Sequence, residues 1–321
     1  MTVLVTGNLG YLGQWVVDRL YGKDVVGLDL GLFDSDDAVV PEVQMYRDIR
    51  RPALWPFAGV NTVVHLAGLS NDPSGDIDPD LTNEINTIGT INLIRQYPKA
   101  LHVIASSCAV YGSNPEEVDE ISPPNPLTAY AKSKAAVDGY VLKRELFGDH
   151  AACVSLRFGT LYGFAPAHRL DLVVNKMVAD AVNRDRTVSV TGNAWRPHTH
   201  VEDAADAIIA VLQSPPTTSG IYNVVGENLR ITEVAHDVAE FTGAAILSYP
   251  SGADRRDYRV NGDKFRRRFG WRPQHTVAGT IPVLAERTLA LPRDREYRRL
   301  PIIQQQIEAG LLHLEYGDAA A

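Results

Sequence analysis

VTGNLGYLG, residues 5–13, lies between a β-branched apolar run, TVLVT (2–6), and a helical pattern made by Leu12, Val16, Val17 and Leu20. Strand, glycine turn and helix in that order form a phosphate cradle. Backbone N–H groups at a helix N-terminus attract a pyrophosphate, and side chains on the turn would block its approach. Gly7, Gly10 and Gly13 are spaced G-x-x-G-x-x-G, which differs from the commoner G-x-G-x-x-G fingerprint. A plain strand-turn-helix with an exposed carboxylate is therefore the competing reading. A second apolar run, DVVGLDL (24–30), brings Asp29 to the end of a strand 16 residues after Gly13. A carboxylate there accepts hydrogen bonds from both adenosine ribose hydroxyls and repels a 2′-phosphate. Leu30 and Gly31 add no arginine to welcome that phosphate, so the reading favours NAD over NADP.

Outward from the loop, strand and helix patterns alternate. VNTVVHLAG (60–68), ALHVIASS (100–107) and AACVSLRF (151–158) read as strands. Between them, LTNEINTIGTINLIRQ (81–96) carries Leu81, Ile85, Ile88, Ile91, Leu93 and Ile94 near helical spacing, and AYAKSKAAVDGYVLKREL (129–146) is a second long helix. This alternation predicts an α/β fold, a doubly wound parallel sheet. After about residue 163 the rhythm changes. A helix over 170–184, short strands at TVSVTG (187–192) and HTHV (198–201), a helix from Glu202 to Gln213, GIYNVVG (220–226) and a helix in ITEVAHDVAEFTG (231–243) follow. The segment 250–275 is basic and reads as loop, although the Arg266–Arg268 run has the spacing of a solvated helix surface. The expected division is 1–165 plus about 200–225 for the nucleotide domain, and 166–199 with 226–321 for a smaller C-terminal α/β lobe. The tail Gly-Asp-Ala-Ala-Ala is expected to fray.

The 321 residues are 45% hydrophobic and 22% charged, an ordinary globular composition with room for a sizeable core. A net charge of −8 argues against nucleic acid or an anionic membrane as the main partner. Two cysteines, Cys108 and Cys153, make no disulfide framework and suggest a reducing, cytoplasmic setting. No signal peptide is visible, and no apolar run approaches the ~20 residues of a membrane span.

Tyr130 and Lys134 are i and i+4 on the second long helix, hence on one face. An ammonium near a phenol favours the phenolate, so such a tyrosine could exchange a proton with a sugar hydroxyl near neutral pH. The pair alone is common by chance. Its company strengthens it: the glycine loop, and Ser107 at a strand end 23 residues before Tyr130, in IASSCAVYG (104–112).

At this point the chain resembles the extended short-chain dehydrogenases/reductases. The resemblance spans nearly the whole sequence and rests on TGNLGYLG, VGLDL, RDI, VVHLAG, INTIGTINLI, SSCAVYG, YAKSK, RFGTLYG, RPHTHVEDAADAI, YNVVG and DKFRRRFGWRP. It implies a Rossmann domain with a small C-terminal substrate lobe. By that resemblance Gly7, Gly10 and Gly13, with Tyr11 and Leu12, cradle the pyrophosphate of NAD and Asp29 holds the adenosine ribose. Asp48 and Ile49 flank the adenine. Leu66, Ala67, Gly68, Ser106 and Phe158 line the dinucleotide, and Asn86 supports the site. Ser107, Tyr130 and Lys134 are the implied catalytic triad, with Lys134 also on the nicotinamide ribose.

Members of this type act on nucleotide-linked sugars by oxidising C4. The 4,6-dehydratases carry an Asp-Glu pair after the serine, and the decarboxylases carry a Glu at the position of Ala109. Cys108-Ala109 supplies neither, so the general acid and base that elimination needs are missing. A 4-epimerase fits, with a 4-keto-sugar reductase as the alternative. A 4,6-dehydratase and a non-catalytic dinucleotide sensor rank below both. Cys108 reads as a small buried side chain behind the serine. Thr160 stands where many family epimerases place a diphosphate-binding asparagine. Arg169, Asn175, Arg196 and one of Arg255 and Arg256 are the remaining substrate-contact candidates, since guanidinium groups suit a diphosphate. SNDPSGD (70–76) reads as an acidic loop over the site.

His198 and His200 alternate like metal ligands, but no third ligand stands at a suitable spacing, so no metal is expected. His65 is expected to pack beside the cofactor. The resemblance further implies a homodimer, joined through helices around 80–97 and 128–147 packed as a four-helix bundle.

Overall fold

The structure, a computed structural model, describes residues 2–33, 37–51, 59–146, 151–183, 186–214, 219–250, 255–291, 299–310 and 312. Its strands are β1 (Thr2–Thr6), β2 (Asp24–Asp29), β3 (Val43–Tyr46), β4 (Val60–His65), β5 (Leu101–Ser107), β6 (Ser113–Val118), β7 (Cys153–Phe158), β8 (Thr160–Tyr162), β9 (Thr187–Thr191), β10 (Trp195–His200), β11 (Gly220–Val224), β12 (Glu227–Arg230), β13 (Ala245–Tyr249) and β14 (Asp257–Val260). Its helices are α1 (Tyr11–Arg19), α2 (Asp72–Gly75), α3 (Pro79–Asn83), α4 (Thr90–Gln96), α5 (Ala129–Leu146), α6 (Val173–Asn183), α7 (Val201–Gln213), α8 (Ile231–Thr242), α9 (Asp263–Phe269), α10 (Val277–Leu289) and α11 (Arg299–Glu308).

Seven strands form one parallel sheet in the order β3-β2-β1-β4-β5-β7-β11. Parallel strands need crossover helices, which cover both faces, so the interior strands are continuous apolar runs. All six residues of β7 are buried. Successive side chains along β1 go to opposite faces. Val3 and Val5 pack with Val16, Val17 and Ile208 of α1 and α7, whereas Leu4 packs with Leu81 and Leu93 on the other side. The order reverses between β1 and β4, and ligands of such sheets bind beyond the strand ends at that reversal. A second core lies apart from the sheet, where Val178 of α6, Val188 of β9, Val238 of α8 and Leu284 of α10 interdigitate.

Several expectations change. The helix read over 81–96 begins at Pro79 and is broken by a π turn, Glu84–Gly89. The 70–76 stretch holds α2 rather than a plain loop. The basic segment 250–275 carries β14 and α9 rather than loop, because Tyr258, Val260 and Phe265 bury while their charged neighbours stay outside. The arginine run is solvated only at Arg267. Arg266 donates to the Val225 carbonyl at 2.9 Å and Arg268 to Ser214 Oγ at 3.1 Å, tying α9 to the chain just past β11 and to the end of α7. Residues 147, 184, 251–254 and the tail 317–321, about which expectations were also formed, lie outside the described residues. No described helix is long and apolar enough to cross a membrane.

Candidate active site

A cleft of about 1060 Å³ opens beyond the carboxyl ends of β1, β2, β4, β5 and β7. The glycine turn forms one wall. Gly7 N donates to the Leu28 carbonyl at 2.8 Å, and Gly10 N to the Gly7 carbonyl at 3.1 Å. Gly7 has φ +72, and a Cβ there would stand 2.6 Å from Ala67 N. At Gly13 a Cβ would stand 2.1 Å from the Gly7 oxygen. The turn is closed so tightly on β4 and on α1 that only glycine fits, which leaves the turn's surface bare toward the cleft. Asp29 accepts from Leu9 N at 3.2 Å and from Gly31 N at 2.9 Å, so its carboxylate is fixed at the cleft edge beside the turn.

Asp48 and Ile49 line the same end, where Arg50 clamps the Asp48 carboxylate at 2.6 Å. Leu66, Ala67 and Gly68 continue the wall from β4, and Ser106 and Phe158 come from β5 and β7. Ser106 Oγ is buried and finds no partner among the described residues. Tyr11 and Leu12 also reach the cleft, and the Tyr11 hydroxyl donates to the Gly163 carbonyl at 2.6 Å. Asn86 sits in the π turn, which widens the helix by one residue and turns its amide toward the strand ends. That amide accepts from Leu69 N and donates to the Leu69 carbonyl, both at 2.9 Å, and donates to Ser133 Oγ at 3.2 Å. His65 is buried between Thr6 Oγ1 at 2.6 Å and Thr90 Oγ1 at 2.8 Å. Burial and the Lys134 charge push it down to about 3, so it stands neutral behind the wall.

Ser107, Tyr130 and Lys134 meet on this cleft. Ser107 ends β5, and its hydroxyl accepts from Ala109 N at 3.1 Å, capping the short turn that follows. It also acts on the Tyr130 phenol, favouring loss of its proton. Lys134 Nζ donates to the Ala105 carbonyl at 2.9 Å and lies 5.8 Å from the Tyr130 ring centre. The expectation of a phenol titrating near neutrality is corrected here. Burial pushes Tyr130 up to about 12, opposed by the Ser107 hydroxyl and the Arg169 charge and reinforced by Asp72. The same burial pushes Lys134 down to about 8. Cys108 lies behind the serine at 1% exposure, its thiol donating to the Arg157 carbonyl, and burial drives its pKa far up. It is no base.

The substrate-contact candidates separate. Thr160, Arg169, Arg196, Arg255 and Arg256 line the cleft, but Asn175 does not. Its amide is spent inside the protein: Oδ1 accepts from Gly163 N at 3.0 Å, and Nδ2 donates to the Tyr11 hydroxyl and to the Gly163 and Arg169 carbonyls. Asn175 is therefore withdrawn as a substrate contact. Arg169 pairs with Asp171 at 2.5 Å and donates to Ser70 at 3.2 Å. Arg256 pairs with Asp72, and its carbonyl receives Arg196, whose guanidinium stands 5.9 Å from the Tyr258 ring centre.

Sequence reasoning missed Asn71, Asp72, Asp171, Leu300 and Leu312, which also line the cleft. The first two lie in the acidic stretch already suspected, while the last two come from the far end of the chain, where no local signal points to a site. Around His200, spacing also misled. Its neighbours are Glu202 and His275 rather than His198, and the ligand atoms of these three lie within 4.8 Å of one another. The His200 and His275 rings are stacked at 4.0 Å, so their in-plane lone pairs do not converge. Glu202 is held by Arg19 at 2.9 Å. This is the packing of a helix start against a loop.

A sequence model of the NAD dependent epimerase/dehydratase family matches residues 3–225. A protein of Methanocaldococcus jannaschii described as a putative UDP-glucose 4-epimerase is 30% identical over 295 residues, covering 85% of this chain and 93% of that protein. The UDP-glucose 4-epimerase of Lacticaseibacillus casei is 26% identical over 86% of this chain and 92% of its own. Among solved structures, the Thermus thermophilus UDP-glucose 4-epimerase in complex with NAD superposes with a TM-score of 0.76 at 28% identity, covering 91% of this chain and all of that one.

Proposed function

The chain belongs to the NAD-dependent epimerase/dehydratase family, and from that membership we propose that it is a nucleotide-sugar 4-epimerase acting on a UDP-linked hexose. One observation carries the choice of reaction. Ser107, Tyr130 and Lys134 line one cleft, and the two positions after Ser107 hold a buried thiol and a methyl group instead of an acid pair. The UDP part is supported by the descriptions of the relatives.

The residues present fit NAD. The glycine turn leaves its surface bare, Asp29 stands beside it, and the buried Ser106 hydroxyl offers an unused polar atom on the cleft wall. In this reading Gly7, Gly10 and Gly13 would hold the pyrophosphate, Asp29 the adenosine ribose, Asp48 and Ile49 the adenine, and Lys134 the nicotinamide ribose. Bound there, NAD supplies a hydride acceptor and donor for sugar C4. Tyr130 takes the proton of the C4 hydroxyl and returns it, and Ser107, on the same cleft, orients that hydroxyl. The base must be the phenolate, so the high proton affinity of Tyr130 makes turnover rise with pH. No other group need move a proton, because the 4-keto sugar only has to present its second face. Thr160, Arg169, Arg196, Arg255 and Arg256 would hold the diphosphate and sugar.

The same reading assigns residues 1–165 with about 200–225 to the cofactor domain and 166–199 with 226–321 to the substrate lobe, except that Phe265, Trp271 and Ile303 pack in the cores on the two faces of the seven-stranded sheet, so α9 and α11 go with the cofactor domain. It also makes the protein a cytoplasmic homodimer joined through the helices around 80–97 and 128–147. Leu142, at 50% exposure on α5, supports that interface.

The test is to denature the purified protein, identify the released dinucleotide, and screen the native protein against nucleotide sugars by NMR. Conversion of one sugar to its C4 epimer without added cofactor is expected, and Tyr130→Phe should lose about 10²- to 10⁴-fold in turnover while still binding NAD. Consumption of NADH with a 4-keto sugar, and no epimerisation, would make the protein the reductase instead.

A further inference from the structure

Asp72 belongs to none of the residues assigned above, yet its carboxylate is tied to both sides of the cleft. One oxygen accepts from Thr128 Oγ1 at 2.5 Å and the other pairs with Arg256, with the aspartate side chain 13% exposed. Thr128 stands just before α5, the helix that carries Tyr130 and Lys134. Its hydroxyl accepts from Ala131 N at 3.1 Å, and its carbonyl accepts from Lys132 N at 2.9 Å, so it is the N-cap of that helix. Asp76, just past α2, holds a second orphan donor of the same helix, Ala129 N, at 3.0 Å. Between these two carboxylates Gly75 lies flat on the tyrosine: a Cβ there would stand 2.9 Å from Tyr130 Cβ and 3.2 Å from Tyr130 N. α2 is thus a shelf under the first turn of α5, bolted at both ends.

We propose that Asp72 is a positioning residue for Tyr130, fixing the first turn of α5 through Thr128 and placing one negative charge beside the phenol. This rests on the reading of Tyr130 as the proton-transfer group. The groups that act on the phenol are Ser107 at the end of β5, Cys108 in the turn after it, Asp72 from α2, Arg169 from the segment after β8, and Lys134 from its own helix. Cys108 is held as a neutral thiol, so Asp72 is the negative partner in this set, and Arg169, Lys134 and the Arg256 guanidinium paired with Asp72 are the positive ones. A negative neighbour opposes loss of the phenol proton, and Asp72 acts on Tyr130 with that sign.

Two kinds of variant separate charge from position. Asp72→Asn keeps an acceptor for Thr128 and removes the charge; the acidic limb of the kcat–pH profile is expected to move to lower pH. Asp72→Ala and Thr128→Val release the helix start, and kcat should fall about tenfold or more, the scale of a misplaced catalytic group. Thr128→Ser, which restores the hydroxyl, should recover most of that loss. NAD content should be unchanged throughout. Unshifted limbs in Asp72→Asn, together with wild-type kcat in Thr128→Val, would overturn the proposal. Should Asp72→Ala not fold, the Thr128→Val and Thr128→Ser pair still decides. A Tyr130→Phe enzyme as active as wild type would instead overturn the reading beneath it, as would the absence of turnover on every nucleotide sugar.

Discussion

Replacing Gly13 by alanine tests the cradle where it is tightest. The new Cβ would stand 2.1 Å from the Gly7 carbonyl oxygen, 2.7 Å from Asn8 Cα and 2.8 Å from Asn8 C. All three are backbone atoms, so no side chain can swing aside. The turn must open by about 1.3 Å before that oxygen reaches ordinary contact. The oxygen also receives Gly10 N, so the opening breaks or stretches the bond that shapes the turn. Strain of this kind costs the fold about 1–3 kcal/mol. The larger loss falls on the ligand. Each backbone N–H displaced from a charged pyrophosphate forfeits about 1.5–3 kcal/mol, or roughly one to two powers of ten in Kd. NAD affinity measured by titration calorimetry should therefore fall about a hundredfold, while thermal unfolding without NAD shows only a modest shift. Gly22→Ala is the control. Gly22 has φ +76 but nothing within 4 Å of its would-be Cβ, so it tests backbone strain without a clash. It should cost stability and leave NAD binding alone. A Gly13→Ala protein that binds NAD within about threefold of wild type would show that the turn does not hold the pyrophosphate.

Two further outcomes follow from groups buried around the sheet. Asp138 accepts from Arg157 Nε at 2.7 Å and Ser155 Oγ at 2.6 Å, with the paired side chains only 2% exposed. Asp138→Ala would strand a buried guanidinium and should cost about 3–5 kcal/mol in chemical denaturation, a loss under about 1 kcal/mol being incompatible with this account. His65, His198 and His200 are pushed down to about 3 and His102 to about 4 by burial, from 6.5. The unfolded chain therefore binds protons that the folded one refuses. Stability is complete above about pH 6.5 and drains away as pH falls toward the folded values, so a melting temperature independent of pH between about 5 and 7.5 would contradict the burial of these rings.

The central sheet was legible because parallel interior strands must be apolar on both faces, and runs such as VSLRF have no other use. The glycine turn was legible because its neighbours already specified strand and helix. β3 was not, since an edge strand of mixed burial carries no alternation to read. β6 escaped for a different reason. SNPEEV has a proline and two glutamates, and it becomes a strand only by pairing with β14, more than 140 positions away. Asn175 looked like a ligand because a polar residue at a helix start is a fair place for one. The fold instead uses it to join three segments, which spacing cannot reveal. The rise in Tyr130's proton affinity was invisible for the same reason, because the i,i+4 geometry shows the helpful ammonium but not the burial that outweighs it.

The pairing of Asp72 with Arg256 joins residues 184 positions apart. The edge strand β11 is likewise supplied only at residue 220. During synthesis, then, the glycine turn and the first strands exist long before the cleft can close. Contacts of such long range form late, since the loop entropy must be overcome before they contribute. Catalytic competence is consequently among the last properties this chain acquires, and its return on refolding should lag behind that of its helices.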